Sequence, residues 1–184
     1  LLGYHVNVFY REDKSKRREL LHIMANEENK EVTIDAGDIL SVADDKVVYD
    51  DGVRIKTVKI PKDIYVTYNG DMCFDWTLSD LNISKGTLKI LSNDGDNQAD
   101  FVIVETYTND LVVNVSETLD KIYLKNAKPI EYLSVDKTVI VKDAVSGKQV
   151  SVKDIPADSL ISIATSKDGN IITLYTNNTL VKGI

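Results

Sequence analysis

The side chains best spaced for chemistry are Asp94, Asp96, Gln98 and Asp100, with Glu105 eleven positions after Asp94. Oxygen donors at alternate positions, closed by a carboxylate at the twelfth, match the ligand spacing of a calcium loop, because Ca2+ takes about six to eight oxygens. The sixth position, where such a loop turns sharply on Gly, is Ala99, and residues 101–107 read as a strand. The spacing therefore admits a Ca2+ site and, as the plainer reading, an acidic hairpin turn on Asp94-Gly95. A second acidic run holds Asp35, Asp38, Asp44, Asp45, Asp50 and Asp51. Paired carboxylates work on glycosidic bonds when a cleft fixes their separation. Asp-Asp before Lys or Gly is also ordinary turn chemistry, and no cleft is announced here.

The remaining candidates are sparse. His5 and His22 lie on neighbouring strand-like runs and could face each other across a hairpin, but no third ligand accompanies them. Cys73 is the only cysteine, which excludes an internal disulfide and a multi-cysteine metal site. It reads as a small, semi-buried residue near a turn. Tyr65, Tyr68 and Trp76 could stack on the apolar faces of a sugar, or could be core aromatics. With no Gly-rich phosphate loop and no Ser–His–Asp spacing, the expectation is a protein without catalytic activity.

The elements that must carry these residues have a two-residue period. Segments such as 4–10, 30–35, 53–60, 101–107, 137–143 and 171–176 alternate or run β-branched and aromatic, the signature of strands. Seven of the nine glycines follow a turn-forming or charged residue, among them Asp51-Gly52, Asn69-Gly70 and Asp168-Gly169. Asn-Gly and Asp-Gly accept the positive φ angles of hairpin turns. Helix is expected to be scarce. Residues 116–127 are the best short helix, with Ser116 as N-cap, and 11–24 reads as a helix or a long hairpin.

A segment of this chain occurs twice. Trp76, Leu78 and Asp80 align with Val150, Val152 and Asp154, and Ser92, Asp94 and Gly95 with Ser166, Asp168 and Gly169, all 74 positions apart. The triplets Tyr107-Thr108-Asn109 and Tyr175-Thr176-Asn177 close the two copies 68 apart. In each copy the Asp that follows two inward apolar positions is expected to cap a short turn. The expected fold is all-β: two related small antiparallel barrel or sandwich units from an internal duplication, with little helix. Residues 47–118 and 119–184 would be the units. Residues 1–46 would form a strand region that completes the second unit by packing on 119–184.

Composition narrows the class. The chain has 184 residues, 43% hydrophobic, with net charge −7 and pI about 4.9. An acidic surface opposes non-specific nucleic-acid binding, which needs cations to displace counterions. The basic cluster at 14–18 is diluted by Glu12, Asp13 and Glu19, and reads as a solvated hairpin tip or helix face. No run approaches the roughly 18 apolar residues that span a bilayer. The chain begins at Leu1 without an initiator Met, so it reads as a piece of a longer protein.

Residues 1–13, 32–39 and 65–109, with the Ser166-Lys167-Asp168-Gly169-Asn170 ending, resemble a β-rich module of clostridial cell-surface proteins that carry surface-layer homology domains. They are also similar to segments of phage structural proteins. Where that module often has Asp and Gly, this chain has Ser92 and Asn97. The resemblance implies an extracellular scaffold or assembly role, on a bacterial surface or in a virion, and supplies no catalytic residues. The partners expected are other subunits or copies of the same protein, joined through sheet edges. The competing expectation is a module that binds cell-wall polysaccharide through Tyr65, Tyr68 and Trp76.

Overall fold

The computed structural model describes residues 2–176 and is all-β; helix among them is confined to three short 3-10 turns. In chain order the first strands are β1 (Val6–Glu12), β2 (Arg18–Ala25), β3 (Lys30–Asp35), β4 (Ile39–Ala43), β5 (Lys46–Asp50), β6 (Ile55–Lys59), β7 (Tyr65–Tyr68) and β8 (Asp71–Cys73). They are followed by β9 (Thr87–Ser92), β10 (Phe101–Glu105), β11 (Thr108–Ser116), β12 (Lys121–Leu124), β13 (Ile130–Glu131), β14 (Thr138–Asp143), β15 (Leu160–Thr165) and β16 (Ile171–Thr176). The sheets are open and sandwich-like, and none of those described closes into a barrel.

The chain forms two compact units. The first runs to Val104 apart from residues 68–71; the second takes those four residues and the chain from Glu105 onward. In the first unit a five-stranded sheet, β3-β9-β10-β7-β8, accompanies a three-stranded sheet, β4-β5-β6. Leu88, Ile90, Val102 and Val104 from the larger sheet and Val47 and Val58 from the smaller are buried. In the second unit one six-stranded sheet, β13-β12-β11-β15-β16-β14, surrounds a core of Val112, Ile122, Val141, Ile161 and Leu174. The Asn69 turn belongs to this unit: its amide donates to the Thr165 carbonyl at 2.7 Å and accepts from the Thr106 N–H at 2.8 Å.

Three expectations change. The N-terminal strands belong to the first unit, where β3 pairs antiparallel with β9 along its whole length, from Lys30↔Ser92 to Asp35↔Thr87. Residues 116–127 are not a helix: β11 returns as β12 through a turn with Asp120 at φ 52°, and Ser116 Oγ accepts the Leu119 N–H at 3.3 Å within it. Cross-strand pairing of Val115 with Ile122 outweighs the weak helical spacing of that segment. Finally, β14 pairs parallel with β16, so the second sheet is mixed.

The two units share an order. The first lays its strands β3-β9-β10-β7 and the second β11-β15-β16-β14. In each unit a 3-10 turn precedes the corresponding hairpin. Asp80 accepts the Thr77 N–H at 2.6 Å, and Asp154 accepts the Ser151 N–H at 3.1 Å, which satisfies a donor that a helical turn leaves orphaned. A third such turn, at Ala36–Asp38, lacks the side-chain cap.

Candidate functional site: the exposed hairpin arm

Residues 6–25 form a long hairpin, β1–β2, and all but the last of its strand residues are exposed. The tip is organised by Asp13, whose carboxylate accepts the N–H groups of Ser15 (2.7 Å) and Arg17 (3.0 Å). This local turn lets the segment at 11–24 form a hairpin rather than a helix. Val6 pairs with Ala25, Val8 with Ile23 and Tyr10 with Leu20. Directly opposed residues share a face, so one face of the arm is apolar from Val6 and Ala25 to Tyr10 and Leu20 and ends on the Glu12–Arg18 pair. Leu21 is the extra residue of a β-bulge between the Phe9↔His22 and Tyr10↔Leu20 pairs, and the bulge keeps Leu20 on the apolar face. The opposite face is mixed, with Asn7, Arg11, Glu19 and His22 beside Phe9 and Met24.

The residues of the apolar face are only about half covered by the described residues. Val8 is 50% exposed, Tyr10 49%, Leu20 59% and Ile23 40%. A two-stranded hairpin with no packed face is marginal in water, so the arm depends on its root and on what it meets. Toward the tip, Arg18 pairs with Glu12 at 3.1 Å and lies 4.9 Å from the centroid of the Tyr10 ring. That cation covers the end of the apolar face while leaving its middle open.

The root is rigid. Asn93, itself buried, donates from its amide to the Gly3 carbonyl (3.1 Å) and accepts the His5 N–H (3.2 Å). Asn29 also accepts the His5 N–H (3.1 Å), and donates to the carbonyls of His5 and Asn26, both at 2.8 Å. Gly3 has φ +83°, and a Cβ there would lie 2.6 Å from Phe101 Cγ. Only glycine can therefore seat the chain so closely before it leaves as β1. These amides, Asn93 buried and Asn29 half-buried, orient the arm as it leaves the body. Neither Asn29, Asn93 nor Gly3 carries a motif that marks this role in the sequence.

The residues expected to ligate Ca2+ serve this framework and its neighbouring turns. Asp100 accepts the Asn93 N–H at 2.6 Å and thereby holds the root amide. Asp94 accepts the Asp96 N–H at 3.1 Å, and Asp96 accepts the Gln98 N–H at 2.8 Å and its side-chain amide. The Gln98 N–H bond is the main reason the Asp96 carboxyl titrates below its ordinary value. Glu105 stands exposed at the end of β10. Among the described residues no three His, Cys, Asp or Glu side chains converge as a metal-holding group.

The aromatic candidates are separated as well. Tyr65 and Tyr68 are three apart on β7 and so project from opposite faces. Tyr65, 61% exposed, lines a depression of about 660 Å³ at the arm's root with Tyr4, His5, Asp63, Asp96 and Gln98. Trp76 lines a different one with Asp45, Ile60 and Lys62. His5 and His22 do not face each other: His22 opposes Phe9, with ring centroids 6.3 Å apart, and His5 precedes the strand. Cys73 is buried, more deeply than expected, with its sulfur 3.5 Å from Asp75.

The second acidic run builds turns. Asp44 and Asp45, at φ 53° and 56°, reverse β4 into β5. Asp50 accepts the Gly52 N–H at 2.9 Å. Asp51 pairs with Lys56 at 2.6 Å, and that hydrogen-bonded cation, with the N–H groups of Arg54 and Val53, holds its carboxyl well below the usual range. Asp38, Asp50 and Asp51 nevertheless share one depression beside Tyr49.

No helix of the described residues is long and apolar enough to cross a membrane. Comparison with known proteins finds no matching family model, no matching curated protein and no matching solved structure.

Proposed function

We propose that this chain is a non-catalytic assembly module of a bacterial cell-surface or phage-virion protein, built from two copies of one β-unit and joined to neighbouring subunits through the β1–β2 arm. The observation that carries the reading is the arm's apolar face, with Val8, Tyr10, Leu20 and Ile23 open to water. Residues this apolar on a rooted, projecting hairpin gain free energy only when another surface covers them. The shared strand order and the matched caps at Asp80 and Asp154 support the duplicated unit. The resemblance to clostridial surface modules supports the extracellular or virion setting.

The test is a photo-reactive amino acid at position 8, in the protein as made by the cells that produce it. The expected result is an adduct with protein, from position 8 and not from position 135, which lies far from the arm in sequence and is fully exposed. Absence of any protein adduct from position 8 would overturn the reading.

A second reading, binding of cell-wall polysaccharide, rests on the depression at Tyr65. An exposed ring flanked by Asp63, Asp96 and Gln98 offers a stacking plane with hydrogen-bonding groups beside it, the combination a sugar takes. Retention of the protein on purified wall glycan, lost in Tyr65→Ala, is the outcome that would favour it.

A further inference from the structure

Resting on the assembly reading, we infer that the partner of the arm is a second copy of this chain, whose acidic depression at Asp38, Asp50 and Asp51 receives the arm's basic tip. Two observations select this occupant. The first is charge. Residues 11–19 carry five cations against three carboxylates, a local +2 in a chain of net −7, so the remainder stands at −9. Among the described residues Lys14, Lys16 and Arg17 form no ion pair, while Arg18 is held by Glu12. A basic tip on an acidic body is complementary to another copy of that body, and such complementarity steers encounter and fixes register.

The second is the match of surfaces. The depression of about 300 Å³ between β3 and the β5–β6 loop is lined by the carboxylates Asp38, Asp50 and Asp51 with half-buried Val32, while Ile34 and Tyr49, which also line it, are buried. Val53 and Ile55 stand beside it in sequence at 90% and 66% exposure. Asp38 and Asp50 form no ion pair among the described residues, whereas Asp51 is paired with Lys56. An apolar hairpin with cations at its end thus meets a surface with apolar groups around carboxylates. The exposed side chains of the arm's one apolar face amount to on the order of 400 Å², half of what one partner contributes to a standard interface. The contact joins different patches on the two copies, so it either closes by reciprocity or propagates.

Light scattering on the full purified chain over a range of concentration and salt tests this, with two charge-reversed variants. One carries Lys14→Glu, Lys16→Glu and Arg17→Glu; the other carries Asp38→Lys and Asp50→Lys. The wild type should exceed the mass of one chain at concentrations on the order of 100 μM, and high salt should weaken the association at least about tenfold. Each variant alone should remain at one-chain mass, and an equimolar mixture should recover the association, which also shows that both variants fold. A wild type of one-chain mass throughout would overturn the inference. So would association indifferent to both reversals. Protein adducts from position 8 in cells, combined with a purified chain that never associates, would remove the self-docking mode and leave the assembly reading standing.

Discussion

The two units lay four strands in the same order and cap the same kind of 3-10 turn, but among the described residues only the first carries an arm. In the second unit every long antiparallel pair finds a core. Ile161 and Leu174, on the β15–β16 hairpin, are 1% and 0% exposed. In the arm the same alternation of β-branched and aromatic residues leaves its apolar side chains open. The second unit folds around its core without such an element. On the proposed reading the arm's apolar residues are explained by contact with a neighbouring subunit.

That contrast breaks most severely in the cores. Leu88 in the first unit and Leu174 in the second are both fully buried. Truncation of either to Ala should cost about 2–5 kcal/mol, through lost transfer free energy and a residual cavity. Calorimetry should show the transition of the mutated unit shifted downward. A shift under a degree would mean that the site is not core.

Asp110 gives the next largest effect, confined to the second unit. Its burial alone would raise the carboxyl's pKa, but the Leu111 and Asn126 N–H groups and the Asn126 amide outweigh this and hold it below its ordinary value of 3.8. A depressed folded pKa stabilises the protein above the unfolded value and loses that contribution as pH falls through the folded one. Acidification below about pH 4 should therefore weaken the second unit. Asp143 and Asp168, held low chiefly by Ser146 and Ser166, act in the same direction. Asp110→Ala should lower the melting temperature by roughly 5–10 °C at neutral pH and flatten the acid limb of its pH dependence. An unchanged acid limb would assign the stabilisation elsewhere.

A smaller difference separates Ser166 from Ser92, which align in sequence. Ser166 Oγ donates to Asp168 at 2.6 Å and accepts the Ile171 N–H at 2.9 Å, whereas Ser92 Oγ is buried without a partner among the described residues. Ser166→Ala should cost about 1 kcal/mol or more and Ser92→Ala close to none, since a lost buried bond leaves a backbone donor orphaned and a lost unsatisfied hydroxyl does not. Denaturant midpoints measure both, and equal losses would erase the distinction. The smallest effect on folding is expected on the arm: Leu20→Ser should change stability by less than about 0.5 kcal/mol. A larger loss would place Leu20 in a core of its own chain.

Much of this architecture was already written in the residue pattern. Alternation marks most of the strands, and Asp80 and Asp154 cap the turns that their spacing implies. What alternation does not encode is which face of a strand is covered, so the segment at 11–24 reads as a helix or a long hairpin with nothing to mark its open apolar face. Strand direction is equally silent, and the parallel pairing of β14 with β16 had no local signal. The acidic spacing at 94–105 matched a metal loop because Asx turns and calcium loops both place oxygens at alternate positions. The backbone N–H groups of Asn93, Asp96 and Gln98 take those oxygens here. The root amides Asn29 and Asn93 act on chain segments 24 and 88 positions from their own, distances at which a single sequence carries no mark.

The central claim, that the arm's apolar face is covered when the protein is assembled, is tested most directly by thiol labelling at position 23. Ile23→Cys, with Val135→Cys as a fully exposed control, would be labelled in dilute purified protein and in native material from the producing cells. Cys73 is buried and should contribute little background. The account predicts that position 23 reacts freely when dilute and at least about tenfold more slowly in native material, while position 135 changes little. Equal rates at position 23 in both states would contradict it.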